Sequence, residues 1–372
     1  MMKRVASLAL LAGAVVMSYA ASAAPNWDGP GKARPMFGVI KNTGPLNYEK
    51  GKTPPPGATL SQWTGGFTDL TGHSITYKMA GADPASSNTD THIKTVLIPV
   101  IMVYGASNGN QTFNPMLKHT AGLKKLSVIK ATSQSPIFVP GADFTSGAID
   151  CGTAQYVDAF QRCNFWGHVS TNVGYHTVLD LTTIKGVKPI TINVTSAQGK
   201  VINNPFGSGV VGTMSINSFD ALLHAYLTSH ATKITPDIFP LFISYDIYLT
   251  SGGCCIGGYH SAGGAQTYGY STFVDSQGAF SEDISAISHE VAEWMDDPFT
   301  NNHVNCQDNS ILEVGDPLEG LANYGTFTVA MNGITWHPQE MAMMPYFGAP
   351  TSTSSNGWTS MHNSITNVCP GQ

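Results

Sequence analysis

Residues 288–298 read SHEVAEWMDDP, and the reading of that stretch decides the fold. Ile284, Ile287, Val291 and Trp294 recur at helical spacing and Asp297-Pro298 closes the run, which predicts an amphipathic helix over about 282–296. Ser281 is expected as its N-cap, with Glu282 and Asp283 in the first turn, where the helix dipole favours anions. Positions i and i+4 lie one above the other on a helix, so His289 and Glu293 can address one metal ion while Glu290 sits one step round. The apolar stripe is offset from this pair, which turns it toward a cleft.

Glutamate is scarce in the chain: there are seven, and five of them fall between residues 282 and 319. That clustering favours a site over a solvated helix face. Glu313, in SILEVGDP, follows Glu293 by twenty residues and is the expected third ligand. Asp316 is placed to orient a ligand, and His260 (in CCIGGYHSAGG) and His303 are alternative ligands. A His/Glu/Glu set balances the charge of a divalent ion, which shifts preference from zinc toward harder metals. His337 and Tyr346 are candidates for stabilising an oxyanion, with ordinary packing the simpler reading.

The chain opens MMKRVASLALLAGAVVMSYAASAAPNW, a positive n-region, an apolar run and an Ala21-Ser22-Ala23 cleavage site, so residues 1–23 are read as a signal peptide. Export, to an extracellular or periplasmic location, is the expectation, with no membrane insertion after signal removal. Without Lys3 and Arg4, 16 basic residues stand against 24 acidic ones, which argues against nucleic acid as a partner. Six cysteines in an exported chain point to disulfides; Cys151–Cys163 is the expected pair, and Cys306–Cys369 is a further candidate. No CxxC…CxxC spacing is present, which excludes a cysteine-built zinc site of that type.

Residues 24–90, with TPPPGATLS at 53–61, read as an irregular Pro/Gly-rich arm leading into one domain over 91–372. HIKTVLIPVIMVYG from His92 predicts a buried strand, and further strands are expected at 186–195 and 238–249. INSFDALLHAYLTSH at 216–230 carries Phe219, Leu222, Leu223, Tyr226 and Leu227 on one helical face and reads as core architecture.

Taken together, GYH (258–260), SHEVAEWMDDP and LEVGDP (312–317) resemble bacterial secreted proteins described as metalloproteases with an HExxE…ExxD pattern, related to the plant Exordium, or phosphate-induced, family. The chain departs from that family where Pro317 and Leu318 stand in place of a cysteine. The resemblance implies His289, Glu293 and Glu313 as metal residues and Glu290 as general base, the role its counterpart has in HExxH zinc peptidases. Helix, strand, Gly-rich excursion and acidic helix also follow in the order in which zinc-peptidase-like folds present an edge strand before the metal helix. By that analogy the fold is α+β, a zincin-like core with a β-rich, loop-rich surround. The function implied is a secreted metal-dependent hydrolase, a zinc metallopeptidase acting on peptide or protein. The alternative is a non-enzymatic, cell-wall-associated binding protein that contacts glycan and keeps a structural metal site.

Overall fold

The apolar run at residue 92 forms a fifteen-residue strand around which the other strands assemble. The structure is a computed structural model and describes residues 33–48, 51–68, 73–118, 123, 125–304, 311–344, 347, 349 and 359–362. The expected signal peptide, Cys306, Cys369 and Tyr346 lie outside the described residues. Eleven strands make one mixed sheet: β1 Met36–Ile40, β2 Asp90–Tyr104, β3 Gln111–Phe113, β4 His176–Leu181, β5 Ile190–Val194, β6 Val201–Asn203, β7 Val210–Ser215, β8 Ile238–Tyr245, β9 Ile247–Thr250, β10 Cys254–Gly263 and β11 Gln266–Phe273. Their order is β6-β7-β9-β10-β11-β8-β2-β3, with β1 parallel to β10 and with β4 and β5 parallel to successive parts of β2. Pro99 sits where the pairing of β2 with β8 ends and that with β5 begins, so its missing N–H interrupts little of the ladder.

Three helices matter for the site: α1 Tyr156–Asn164, α2 Ile216–His230 and α3 Ser285–Asp296. Strand side chains alternate between faces, and β8 sorts its residues accordingly. Phe239, Leu241 and Ile243 pack with Ile287, Val291 and Trp294 of α3, whereas Phe242 packs with Phe219, Leu223 and Leu227 of α2. Both faces of the central strands are thereby covered, which is why β8, β10 and β11 read as nearly continuous buried runs.

The expected zincin-like α+β core is not what forms. Among the described residues the fold is mostly β, 38% strand against 18% helix, with the large sheet nearly closed into a barrel-like wall. The strand expected as the edge, at 238–249, is interior: β8 pairs β11 on one side and β2 on the other, and β9 lies between β7 and β10, so neither presents a free edge.

Smaller differences have local causes. The expected 238–249 strand is two strands, because Asp246 takes a left-handed φ of 51° and the chain changes neighbours there. Helix α3 begins at Ser285, since Ser281 and Asp283 adopt φ of 62° and 40°, and Ser281 therefore caps nothing. The leading arm contributes β1 to the sheet and a hairpin, Gln62–Thr68 with Ser74–Ala80. Helix α2 spans the expected residues. Cys151 and Cys163 are bonded, tying the Ala142–Ser146/Ile149–Ala154 hairpin to α1, and Cys254 is bonded to Cys255. No helix among the described residues is long and apolar enough to cross a membrane.

Candidate metal centre

Alternation along β10 explains the GYH triplet. Tyr259 points to the α2 side, where its hydroxyl donates to Asp220 Oδ1 at 2.9 Å. Gly258 and His260 point the other way, onto α3. His260 Nδ1 lies 3.5 Å from Glu290 Oε2 and 3.8 Å from Glu293 Oε2. Gly258 meets the Glu290 side chain: a Cβ there would lie 2.6 Å from Glu290 Cγ.

Every residue of α3 is buried, so the expected cleft-facing surface is instead an interior one. His289 Nε2 lies 3.0 Å from Glu293 Oε1 and 3.5 Å from Asp316 Oδ1. Its Nδ1 is 2.9 Å from Gln339 Oε1, and Gln339 Nε2 donates to the Gly315 carbonyl at 3.2 Å, which orients the amide. A carbonyl oxygen only accepts, so Nδ1 carries a proton and Nε2 is the atom available to a cation. The Phe37 ring of β1 stacks on the imidazole at 3.7 Å, and the Gly315 backbone N–H donates to Glu293 Oε1 at 3.0 Å.

Electrostatics sort these groups. Burial opposes the His289 imidazolium, but Glu293, Asp316 and Glu290 outweigh it and hold its pKa well above the usual value. For Glu293 burial is likewise overcome, by His289, and its pKa falls. Burial drives Glu290 far up, with the negative Glu293 adding to it, and does the same to Glu313. It lowers His260 to about 4 and lifts Asp297 to about 8. With no cation, burial thus favours the neutral form of Glu290 and Glu313 beside a His289–Glu293 ion pair.

Buried His, Glu and Asp groups in this structure could hold a metal ion. Ligand atoms of His289, Glu293 and Asp316 come within 4.8 Å of one another, as do those of His260, Glu290 and Glu293, and those of His260, Asp297 and Glu313. Glu293 is common to the first two sets. Glu313, expected beside His289, groups instead with His260 and Asp297 and meets Glu293 carboxyl to carboxyl. Asp316 takes the place next to His289. His303 is exposed, bridged to the buried Ile311, outside these groups. His337 sits in a separate group with Glu282 and Asp283. The donor set fits a divalent cation on one further observation: Asp297 Oδ2 is buried without a hydrogen-bond partner, and His260 and Glu290, both fully buried, approach each other only to 3.5 Å.

Sequence reasoning missed Gln339, Phe37 and the ligand potential of Asp297. Asp297 had a visible signal, its place at the end of the motif, but that place reads equally as a helix stop. Gln339 and Phe37 are remote in sequence and carry no periodicity that marks them. No family model, no curated protein and no solved structure matches the chain.

Proposed function

We propose that this chain is an exported metal-dependent hydrolase of the metallopeptidase class, with zinc or another divalent ion held by His289, Glu293 and Asp316. The observation that carries the reading is Glu290. Its carboxyl group is fully buried, faces the Gly38 backbone N–H and, at 3.5 Å, His260 Nδ1 besides its helical neighbours, and lies on the helical turn that carries His289 and Glu293. A group placed there is costly unless it serves as ligand or proton carrier.

A bound divalent ion would polarise a scissile carbonyl and lower the pKa of an attacking water. The residues of the chain do the rest. Gln339 holds His289 in the tautomer that leaves Nε2 toward the ion. The Gly315 N–H steadies Glu293 Oε1. Glu290, at a carboxylate oxygen, takes a proton from the nucleophile and returns it to the leaving amine, a task suited to a carboxyl whose pKa burial has raised. Two disulfides fit an oxidising compartment and support export. The resemblance of GYH, SHEVAE and LEVGD to the secreted HExxE proteins points the same way.

A second reading, a structural metal clip in a non-enzymatic binding protein, is favoured by one observation: His289, Glu290 and Glu293 are fully buried, with Phe37 stacked on the imidazole. Glu290→Gln separates the two. The hydrolase reading expects bound metal, measured by elemental analysis, to stay near the wild-type content while cleavage of a fluorogenic peptide library falls roughly 10²–10⁴-fold. Cleavage at the wild-type rate by this variant overturns the hydrolase reading. Wild-type protein that is metal-loaded, melts lower after chelation and cleaves no peptide establishes the clip.

A further inference from the structure

We propose that the centre holds a second divalent cation, bound by His260, Asp297 and Glu313, beside the one assigned to His289, Glu293 and Asp316. The proposal rests on the reading of the first site as a metal centre and extends it to a dinuclear one.

The three side chains come from separate parts of the fold and converge in the interior. His260 projects from β10, Asp297 closes α3, and Glu313 comes from the LEVGDP segment. Each offers a ligand atom within 4.8 Å of the others, and all three are buried. The His260 ring is fully buried, with Nδ1 3.5 Å from Glu290 Oε2 and 3.8 Å from Glu293 Oε2. Asp297 divides its work: Oδ1 accepts from the backbone N–H groups of Asn301 and Asn302 at 2.9 and 3.0 Å, while Oδ2 is buried without a partner. A carboxylate anchored through one oxygen with the other left over is arranged as a ligand is, because the anchor fixes its direction.

The set uses none of His289, Glu290 or Asp316, so a cation here leaves the first site complete and Glu290 free for proton transfer. Charge points the same way. Five carboxyl groups (Glu290, Glu293, Asp297, Glu313 and Asp316) face two imidazoles, more acidic donors than one divalent ion takes up, and burial keeps the unused ones from ionising. Glu293 meets Glu313 and so lies between the two sets, the position from which one carboxylate steadies both. One imidazole with two carboxylates suits Mn²⁺, Fe²⁺ or Zn²⁺.

The test counts ions. Full-length protein stripped with chelator is reloaded with Zn²⁺ or, separately, Mn²⁺, and bound metal per chain is measured by elemental analysis and native mass spectrometry. Wild type is expected to hold two ions. His260→Ala and Asp297→Asn should each hold one, and Asp316→Asn should also hold one. Asp297→Asn keeps the Oδ1 acceptor and so preserves the helix end, which keeps the test open if His260→Ala fails to fold; the count on wild type requires no substitution at all. A wild-type count of one overturns the second site and leaves the hydrolase reading standing. Two ions retained in Asp297→Asn and His260→Ala overturn the assignment to these residues. A wild-type count of zero overturns both readings together, whereas two ions with no hydrolysis overturn the hydrolase alone.

Discussion

The side chain of Glu290 occupies the space that a Cβ on Gly258 would need, 2.6 Å from its Cγ and 2.7 Å from its Oε1. The glycine of GYH is thus the complement of the glutamate of SHEVAE: β10 and α3 approach this closely only because one residue lacks a side chain. Replacing Gly258 with Ala should displace Glu290 and cost about 1–3 kcal/mol of stability, as overpacking of a buried site does. Urea denaturation measures the loss. A variant with wild-type stability and wild-type activity would show that the contact does not position Glu290.

Gln339 should matter to metal affinity without touching the ion. It accepts from His289 Nδ1, and its own backbone N–H donates to Ser288 Oγ, one residue earlier on α3, at 2.8 Å. Gln339→Leu is expected to weaken metal binding about 10–100-fold with the ligands intact. Competition against a chromophoric chelator reads this directly, and unchanged affinity would remove Gln339 from the site.

Metal removal should lower thermal stability. A ligand at a hundredfold excess over its dissociation constant adds about 2.7 kcal/mol to the folded state. Chelation followed by calorimetry should show a drop in Tm that readdition of Zn²⁺ or Mn²⁺ reverses. An unchanged Tm would mean that the buried donors hold no cation.

The group outside the centre offers a pH dependence. His337 Nδ1 lies 2.7 Å from Asp283 Oδ2, and that hydrogen bond raises the pKa of the imidazole above its usual value. A histidine whose folded pKa is raised contributes stability that is complete below its unfolded pKa of about 6.5 and is lost as pH rises through the folded value. Stability should therefore decline across that window, and His337→Gln should flatten the decline. Denaturation midpoints on either side of neutrality provide the check; an identical slope in the variant would exclude His337 as its source.

The Cys151–Cys163 bridge closes a short loop, with the two cysteines twelve residues apart, and ties a hairpin to α1. Helix α1 in turn meets α3 through Gln161 and Asn164, both donating to Asp296. Paired Ser substitutions should cost about 2–4 kcal/mol. A smaller loss in guanidinium melts would show that the bridge constrains the unfolded chain little.

Much of this protein was legible before any coordinates. Val/Ile-rich runs located β2, β5 and β8; burial on both faces leaves a continuous apolar signature in β8, whereas β5 alternates buried with exposed residues. The stripe of α2 gave its bounds to the residue. His289, Glu290 and Glu293 stood out since glutamate is rare in the chain and helical spacing is a local property. The start of α3 was not legible, because the left-handed residues Ser281 and Asp283 are held by Val274, just past β11, and by His337 rather than by local preference.

What the sequence alone determined, then, is which chemistry is concentrated near residues 282–319, together with the Cys151–Cys163 pair. What the tertiary structure decided is who meets whom. Asp316, not Glu313, came beside His289; Glu313 went with His260 and Asp297; and the expected edge strand became the middle of a barrel-like sheet. The physical reason is the same in each case. Spacing along a helix is fixed within one turn, but the direction of a carboxylate on a loop and the number of partners a strand acquires are set by packing against segments up to two hundred residues away.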